Sequence, residues 1–175
     1  MIDQRIRAAI RDIPDFPKPG IIFKDITPIL QDPALCGDIV DELVSRLSVD
    51  EIDVVAGIES RGFLFGLILA QRLGKPFIPI RKQGKLPYRT IKQEYTLEYG
   101  TAAIEVHEDA FPAGSRVLIH DDLLATGGTI EAANRLVGQL RGRVVGYAFI
   151  ISLDFLGGKK RLEAYNTPLT TLIDY

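Results

Sequence analysis

The sequence predicts an α/β fold, a mainly parallel central sheet flanked by helices. Three observations predict it. Short, continuous apolar runs such as Val54–Ile58 and 116–120 have the length and branching of strands buried on both faces. Segments with helical spacing alternate with those runs, which is the pattern of βαβ units. The 175 residues suit one domain, 1–175, since a chain of this size buries about 70% of its extended surface.

The elements follow in order. Ile2, Ile6, Ala9, Ile10 and Ile13 recur at helical spacing, and Pro14 stops that helix. Residues 14–30 carry four prolines together with Phe16, Ile21, Ile22 and Phe23, so they read as an ordered loop rather than a linker. Asp32-Pro33 is a helix start, with the stripe Leu35, Ile39, Leu43 and Leu47 behind it. A strand at 53–58 leads through Ser60 into an apolar helix, 61–73, which Gly74 ends. A strand at 77–81 precedes residues 82–93, which show no period and read as a long loop. Segments 95–97 and 103–107 read as strands about the Gly100 turn, and 116–120 as a third buried strand. A helix at 129–140 and an apolar strand at 144–153 complete the pattern.

Composition excludes several classes of function. Twenty-one Lys and Arg against twenty-three Asp and Glu give a net charge of −2, without the basic excess of a nucleic-acid binder. A single cysteine, Cys36, permits neither an internal disulfide nor a multi-cysteine zinc site, and fits a reducing compartment. No apolar run approaches the ~20 residues of a membrane span, and the first residues lack a signal-peptide core. These features lead to the expectation of a cytoplasmic protein with no nucleic-acid or membrane partner. His107 and His120 are too far apart and too poor in partners to suggest a metal pair, and Cys36 has no activating base beside it.

The sharpest feature is the run 116–130, RVLIHDDLLATGGTI. A buried strand ends in two carboxylates, Asp121 and Asp122, and a loop of small residues then opens a helix. Ala125, Thr126, Gly127, Gly128 and Thr129 leave their backbone open, and their N–H groups, the two hydroxyls and the helix N-terminus can surround a phosphate. The loop lacks the Gly-Lys-Ser/Thr ending of a nucleotide P-loop and the spacing of a dinucleotide fingerprint. A carboxylate pair suits vicinal hydroxyls. A phosphate cradle a few residues after a diol-binding pair describes a ribose 5-phosphate.

The same run is similar to the phosphoribosyl-pyrophosphate signature of the type I phosphoribosyltransferases, and its Asp-Asp-Leu-Leu-Ala-Thr-Gly-Gly-Thr wording resembles the adenine branch. FPKPGIIFKDITPIL (16–30), GIESRGFLFG (57–66), IRKQGKLP (80–87), YTLEYG (95–100) and the region 151–158 agree with that branch in one order. The resemblance implies the type I fold, with a hood segment at about 1–30 over the base site and a flexible lid loop at about 82–94. It implies Mg2+-dependent joining of adenine to the ribose of phosphoribosyl pyrophosphate, giving AMP and pyrophosphate, by a homodimer. A relative preferring 6-oxopurines and a non-catalytic regulator on the same fold are the alternatives.

Several residue roles follow from that resemblance. The stretch 81–92 holds Arg81, Lys82, Lys85, Arg89 and Lys92 and no acid, a local reversal in a slightly acidic chain. Resemblance places Arg81, Lys82 and Lys85 on pyrophosphate, where negative charge grows in the reaction. Arg61 stands at a helix N-terminus, already suited to an anion, and resemblance makes it a pyrophosphate ligand too. Glu59 before it is either functional or structural, pairing with a nearby base or capping the helix. Glu98 resembles the family's acid/base, with Tyr99 beside it in the site. The Ile22 carbonyl and Lys24 N–H would read the adenine edge, with Phe23 and Leu153 on its two faces. The magnesium would be carried mainly by the substrate, so no dedicated metal ligand is expected.

Overall fold

The computed structural model describes residues 1–16, 18–97 and 100–175. Its centre is a seven-stranded sheet made of β3 (Val54–Ile58), β4 (Phe77–Lys82), β5 (Thr90–Thr96), β6 (Thr101–His107), β7 (Arg116–Leu124), β8 (Arg143–Ser152) and β9 (Leu169–Asp174). The spatial order is β5-β6-β4-β3-β7-β8-β9. Strands β4, β3, β7, β8 and β9 run parallel, and β6 and β5 add an antiparallel edge. Helices α2 (Pro33–Arg46), α3 (Gly62–Leu73), α4 (Gly128–Gln139) and α5 (Gly158–Leu162) connect these strands or precede them.

Alternation along the parallel strands explains why they read as unbroken apolar runs. Val55, Leu118, Ala148 and Ile150 point to one face, where Ile39, Leu43, Phe65 and Leu69 of α2 and α3 cover them. Val54, Ala56, Val117, Ile119, Tyr147 and Phe149 point to the other, under Ile130, Ala133, Leu136 and Val137 of α4. Phe65 and Leu69 are completely buried, and each such burial stabilises the fold by about 1.5–3 kcal/mol. The α2 start is as the sequence predicts, since the Asp32 side chain accepts the Leu35 N–H at 3.0 Å.

Three stretches differ from the sequence reading. Helix α1 (Ile2–Ala9) stops before Pro14, and β1 (Arg11–Pro14) pairs antiparallel with β2 (Ile22–Asp25). Proline drives its preceding residue toward extended backbone, so Ile13 leaves the helical pattern and faces Phe23. The loop expected at 82–93 is shorter, because β5 begins at Thr90. Its half-buried Ile91, Gln93 and Tyr95 alternate with exposed Lys92, Glu94 and Thr96, a period of two hidden by polar composition. Strand β7 also continues to Leu124, carrying Asp121 and Asp122 inside it rather than after it.

Between β3 and β7 the chain connections diverge to opposite sides of the sheet: β3 passes through α3 to β4, and β7 passes through α4 to β8. Ligands of open α/β sheets bind at such a switch point, at the carboxyl ends of the strands. Arg61 follows the end of β3, and the acid pair and small-residue loop end β7.

Candidate active site

The sheet brings the Arg61 segment and the acid pair together. Pairing of β3 with β7 sets Gly57 opposite His120, one residue before Asp121. Arg61 Nε then lies 3.0 Å from Asp122 Oδ2. Asp122 is buried and Asp121 half-buried, and the Asp121 carboxylate accepts the Asp122 N–H at 2.9 Å. Burial pushes Asp121 well above the usual carboxylate range, and the adjacent Asp122 charge pushes it further. Burial raises Asp122 as well, and the Arg61 guanidinium offsets part of that rise. Two carboxylates with such upward shifts suit a ligand that brings hydroxyl donors or a cation.

Ala125, Thr126 and Gly127 form the turn from β7 into α4, and Gly128 and Thr129 are the first residues of that helix. Gly127 has φ +79°, a left-handed conformation that side chains rarely take. The turn packs on the start of α5. A Cβ on Gly158 would overlap the Ala125 carbonyl oxygen and come within 2.9 Å of the Leu124 side chain. Behind the loop, Arg161 Nε donates to Glu131 Oε2 at 2.9 Å, and its Nη1 lies 3.3 Å from where a Gly128 Cβ would stand. These contacts fix the turn and the start of α4 from behind.

On the other side of Arg61, its guanidinium sits 4.9 Å from the centre of the Phe23 ring. Phe23 meets Phe16 edge to face, with centroids 5.2 Å apart. Ile22, Phe23 and Lys24 all lie on β2, with Ile22 exposed and Phe23 half-buried. The Lys24 ammonium is held by Asp12 at 2.7 Å and lies 4.0 Å over the Tyr175 ring. Leu153, just after β8, is half-buried, and its N–H donates to the Leu124 carbonyl at the end of β7. Strand β2, Arg61 and the acid pair are thus joined by contact.

The basic stretch spans the end of β4, the turn after it and the start of β5. Arg81 and Lys82 end β4, and Lys85 lies in the turn that follows. The Arg81 guanidinium is engaged by Glu59 at 2.9 Å and by the Lys85 carbonyl at 3.0 Å. Glu59 also accepts the Lys82 N–H at 2.9 Å. The hydrogen bond from Arg81 holds the Glu59 carboxyl below its ordinary range. Glu59 therefore pairs with a nearby base, one of the two structural roles open to it from sequence. Lys82 and Lys85 are exposed. Glu98 and Tyr99 lie outside the described residues. His120 is fully buried beneath the site, and burial pushes its imidazole down to about 4. Among the described residues no group of three His, Cys, Asp or Glu could hold a metal ion.

Sequence reasoning missed Glu105 and Arg161. Glu105 is buried on β6 and accepts backbone N–H groups from the basic loop. The available signal was one acid between apolar strand residues, close to a loop with none. Arg161 stands in a short basic helix and carries no local signal.

The Phosphoribosyl transferase domain family model matches residues 27–173. The adenine phosphoribosyltransferase of Cytophaga hutchinsonii is 54% identical over 175 residues, covering 100% of this chain and 97% of that protein. The crystal structure of adenine phosphoribosyltransferase from Thermoanaerobacter pseudethanolicus superposes with a TM-score of 0.95 at 48% identity, covering 100% of both chains. The Saccharomyces cerevisiae enzyme, solved with adenine and an imino-altritol bisphosphate, gives a TM-score of 0.89 at 42% identity over 98% of each chain. No helix among the described residues is long and apolar enough to cross a membrane.

Proposed function

This chain belongs to the adenine phosphoribosyltransferase family, and from that premise we propose how its own residues carry the family's reaction. That reaction moves the 5-phosphoribosyl group of phosphoribosyl pyrophosphate onto adenine, giving AMP and pyrophosphate in purine salvage. The observation that carries the assignment of roles is the Arg61–Asp122 ion pair at the switch point of the sheet. It sets a cation for the departing pyrophosphate directly against the acids for the ribose.

The loop 125–129 holds the 5-phosphate through its backbone N–H groups and the Thr126 and Thr129 hydroxyls. Asp121 and Asp122 accept the ribose hydroxyls, which fixes the sugar carbon between base and leaving group. As the bond to pyrophosphate loosens, charge grows on its oxygens. Arg61, Lys82 and Lys85 stabilise that charge from fixed positions. Arg81 acts with them by holding the loop, since Glu59 and the Lys85 carbonyl occupy its guanidinium. Phe23 and Leu153 clasp the base, and the Ile22 carbonyl and Lys24 N–H select an amino donor beside an unprotonated ring nitrogen. Glu98 manages the base's ring proton.

The acid pair offers the hard oxygen donors that Mg2+ takes, so Asp121 and Asp122 fit a role in helping to hold the ion that arrives with the substrate. Bound there, Mg2+ supplies further neutralisation of the polyanion. A homodimer in the cytoplasm is supported by two features: Leu64, Leu67 and Ile68 are exposed on one side of α3, and Cys36 is the only cysteine.

The test is Mg2+-dependent product formation from phosphoribosyl pyrophosphate with adenine, hypoxanthine, guanine and xanthine in parallel. AMP formation from adenine in large excess over the rest is expected. Turnover of the 6-oxopurines without adenine would overturn the base assignment.

A further inference from the structure

The basic loop between β4 and β5 rests on a buried carboxylate that the reaction does not otherwise use. Glu105 is 4% exposed, in the middle of β6. The sheet register sets it opposite Arg81 of β4 on one side and Lys92 of β5 on the other. The loop therefore leaves and re-enters the sheet beside this one residue. Glu105 Oε1 accepts the N–H groups of both Lys85 and Leu86 at 2.9 Å, and Oε2 accepts the Thr90 hydroxyl at 3.3 Å.

We propose that Glu105 is a positioning residue for the reaction, fixing the loop so that Lys82 and Lys85 are presented to pyrophosphate in one arrangement. The need is electrostatic. Lys82 at the end of β4, Lys85 and Arg89 in the loop and Lys92 in β5 carry like charges that repel one another, which opposes a single loop arrangement. A buried carboxylate offsets the repulsion, and its hydrogen bonds to two consecutive backbone N–H groups also fix the turn at Lys85. Glu59 does the same at the loop's start, through the Lys82 N–H. A carboxylate on β6 and one in the turn after β3 thus pin the backbone of the two exposed lysines. Burial by itself would raise the Glu105 carboxyl, and the N–H donors from the loop more than reverse this and hold it below its ordinary range. It is therefore charged at neutral pH.

The inference rests on the reading of Lys82 and Lys85 as pyrophosphate ligands. Its test is the split between the two Michaelis constants in Glu105→Ala and Glu105→Gln. The alanine variant should raise KM for phosphoribosyl pyrophosphate about tenfold and leave KM for adenine within about twofold. The glutamine variant should recover part of that loss, because its Oε1 can accept both N–H groups and its amide can donate to the Thr90 hydroxyl, while the missing charge leaves the repulsion among the cations unoffset. An unchanged KM for phosphoribosyl pyrophosphate, or equal rises in both constants, overturns the proposal. Amide exchange in the wild type keeps it testable if the alanine variant does not fold. Lys85 and Leu86 should exchange at least about tenfold slower than unstructured amides, and free exchange overturns the role of Glu105. The wild-type assay separates this inference from the reading beneath it. Absence of AMP formation by the wild type defeats that reading, whereas normal turnover beside an unmoved KM in Glu105→Ala defeats only the positioning role.

Discussion

Arg61 Nε lies 3.0 Å from Asp122 Oδ2, an ion pair between the first residue beyond β3's end loop and a buried acid of β7. Arg61 precedes α3 just after β3, and Asp122 lies on β7, the strand paired parallel with β3, so the sheet sets their separation. Their coupling makes the proposed pyrophosphate and ribose halves of the site one electrostatic unit. Asp122 is 2% exposed, and without Arg61 its charge would have to be neutralised by a proton.

Arg61→Ala should therefore do two separable things. Affinity for phosphoribosyl pyrophosphate should fall about 10–100-fold, from lost charge-assisted hydrogen bonds. Stability should fall by about 1 kcal/mol, a figure kept small because a third of the Arg61 side chain is open to solvent. Adding Asp122→Asn removes the stranded charge, so the double variant should regain the lost Tm and not the affinity. Thermal melts and ligand titrations of the three variants check this. A double variant no more stable than Arg61→Ala would show that the pair does not carry the effect.

Asp121 sets a pH dependence of opposite sign to that of an ordinary paired carboxylate. Its carboxyl is raised by burial and by Asp122, so in the fold it keeps its proton above the pH at which it ionises in the unfolded chain, ~3.9. Its contribution to stability is therefore full below the unfolded value and is lost as pH rises toward the folded one. Binding runs the other way. A ligand that donates hydroxyls or brings Mg2+ favours the ionised form, so affinity for phosphoribosyl pyrophosphate should rise with pH across the same interval. Calorimetry in two buffers of different ionisation enthalpy should detect protons released on binding, and Asp121→Asn should abolish the release. Equal heats in both buffers for the wild type would contradict the assignment.

The parts of the molecule legible in the sequence are those where one strong local pattern decides the structure. The strands at 53–58, 116–120 and 144–153 are apolar along their central residues because α2, α3 and α4 cover both faces. The loop 125–129 shows itself by composition, since only small residues allow backbone N–H groups to face a ligand. Strand β5 was hidden because its outward face, Lys92, Glu94 and Thr96, is polar and its inward face is only half-buried. The hairpin of β1 and β2 was hidden because Ile13 fits the helical spacing of Ile6 and Ile10, and only the pairing with Phe23 decides otherwise. Glu105 and Arg161 could not be assigned because their partners lie far along the chain, at Lys85 and Glu131.

Glu98 offers a test of chemistry apart from binding. A positioned carboxyl that exchanges the ring proton of the base contributes about 10²–10⁴-fold to rate. Glu98→Ala should lower kcat in that range and leave the dissociation constant of phosphoribosyl pyrophosphate nearly unchanged. Single-turnover measurements isolate the chemical step. Unaltered single-turnover rates would remove Glu98 from the mechanism.

Gly158 tests whether the phosphate loop is held in place from behind. Any Cβ there overlaps the Ala125 carbonyl oxygen and crowds Leu124, both backbone or buried neighbours that cannot turn aside as a long side chain would. Gly158→Ala should thus push the loop 125–127 toward the ligand side and cost about 1–3 kcal/mol of stability. The shift acts on the N–H groups that would hold the 5-phosphate, so KM for phosphoribosyl pyrophosphate should rise while KM for adenine stays. Gly37→Ala is the matched control, lying inside α2 with nothing within 4 Å of its Cβ. There the substitution should raise stability by about 0.5–1 kcal/mol through helix propensity alone and leave both constants unchanged. A Gly158→Ala variant that melts with the wild type and binds phosphoribosyl pyrophosphate normally would mean that α5 does not support the loop.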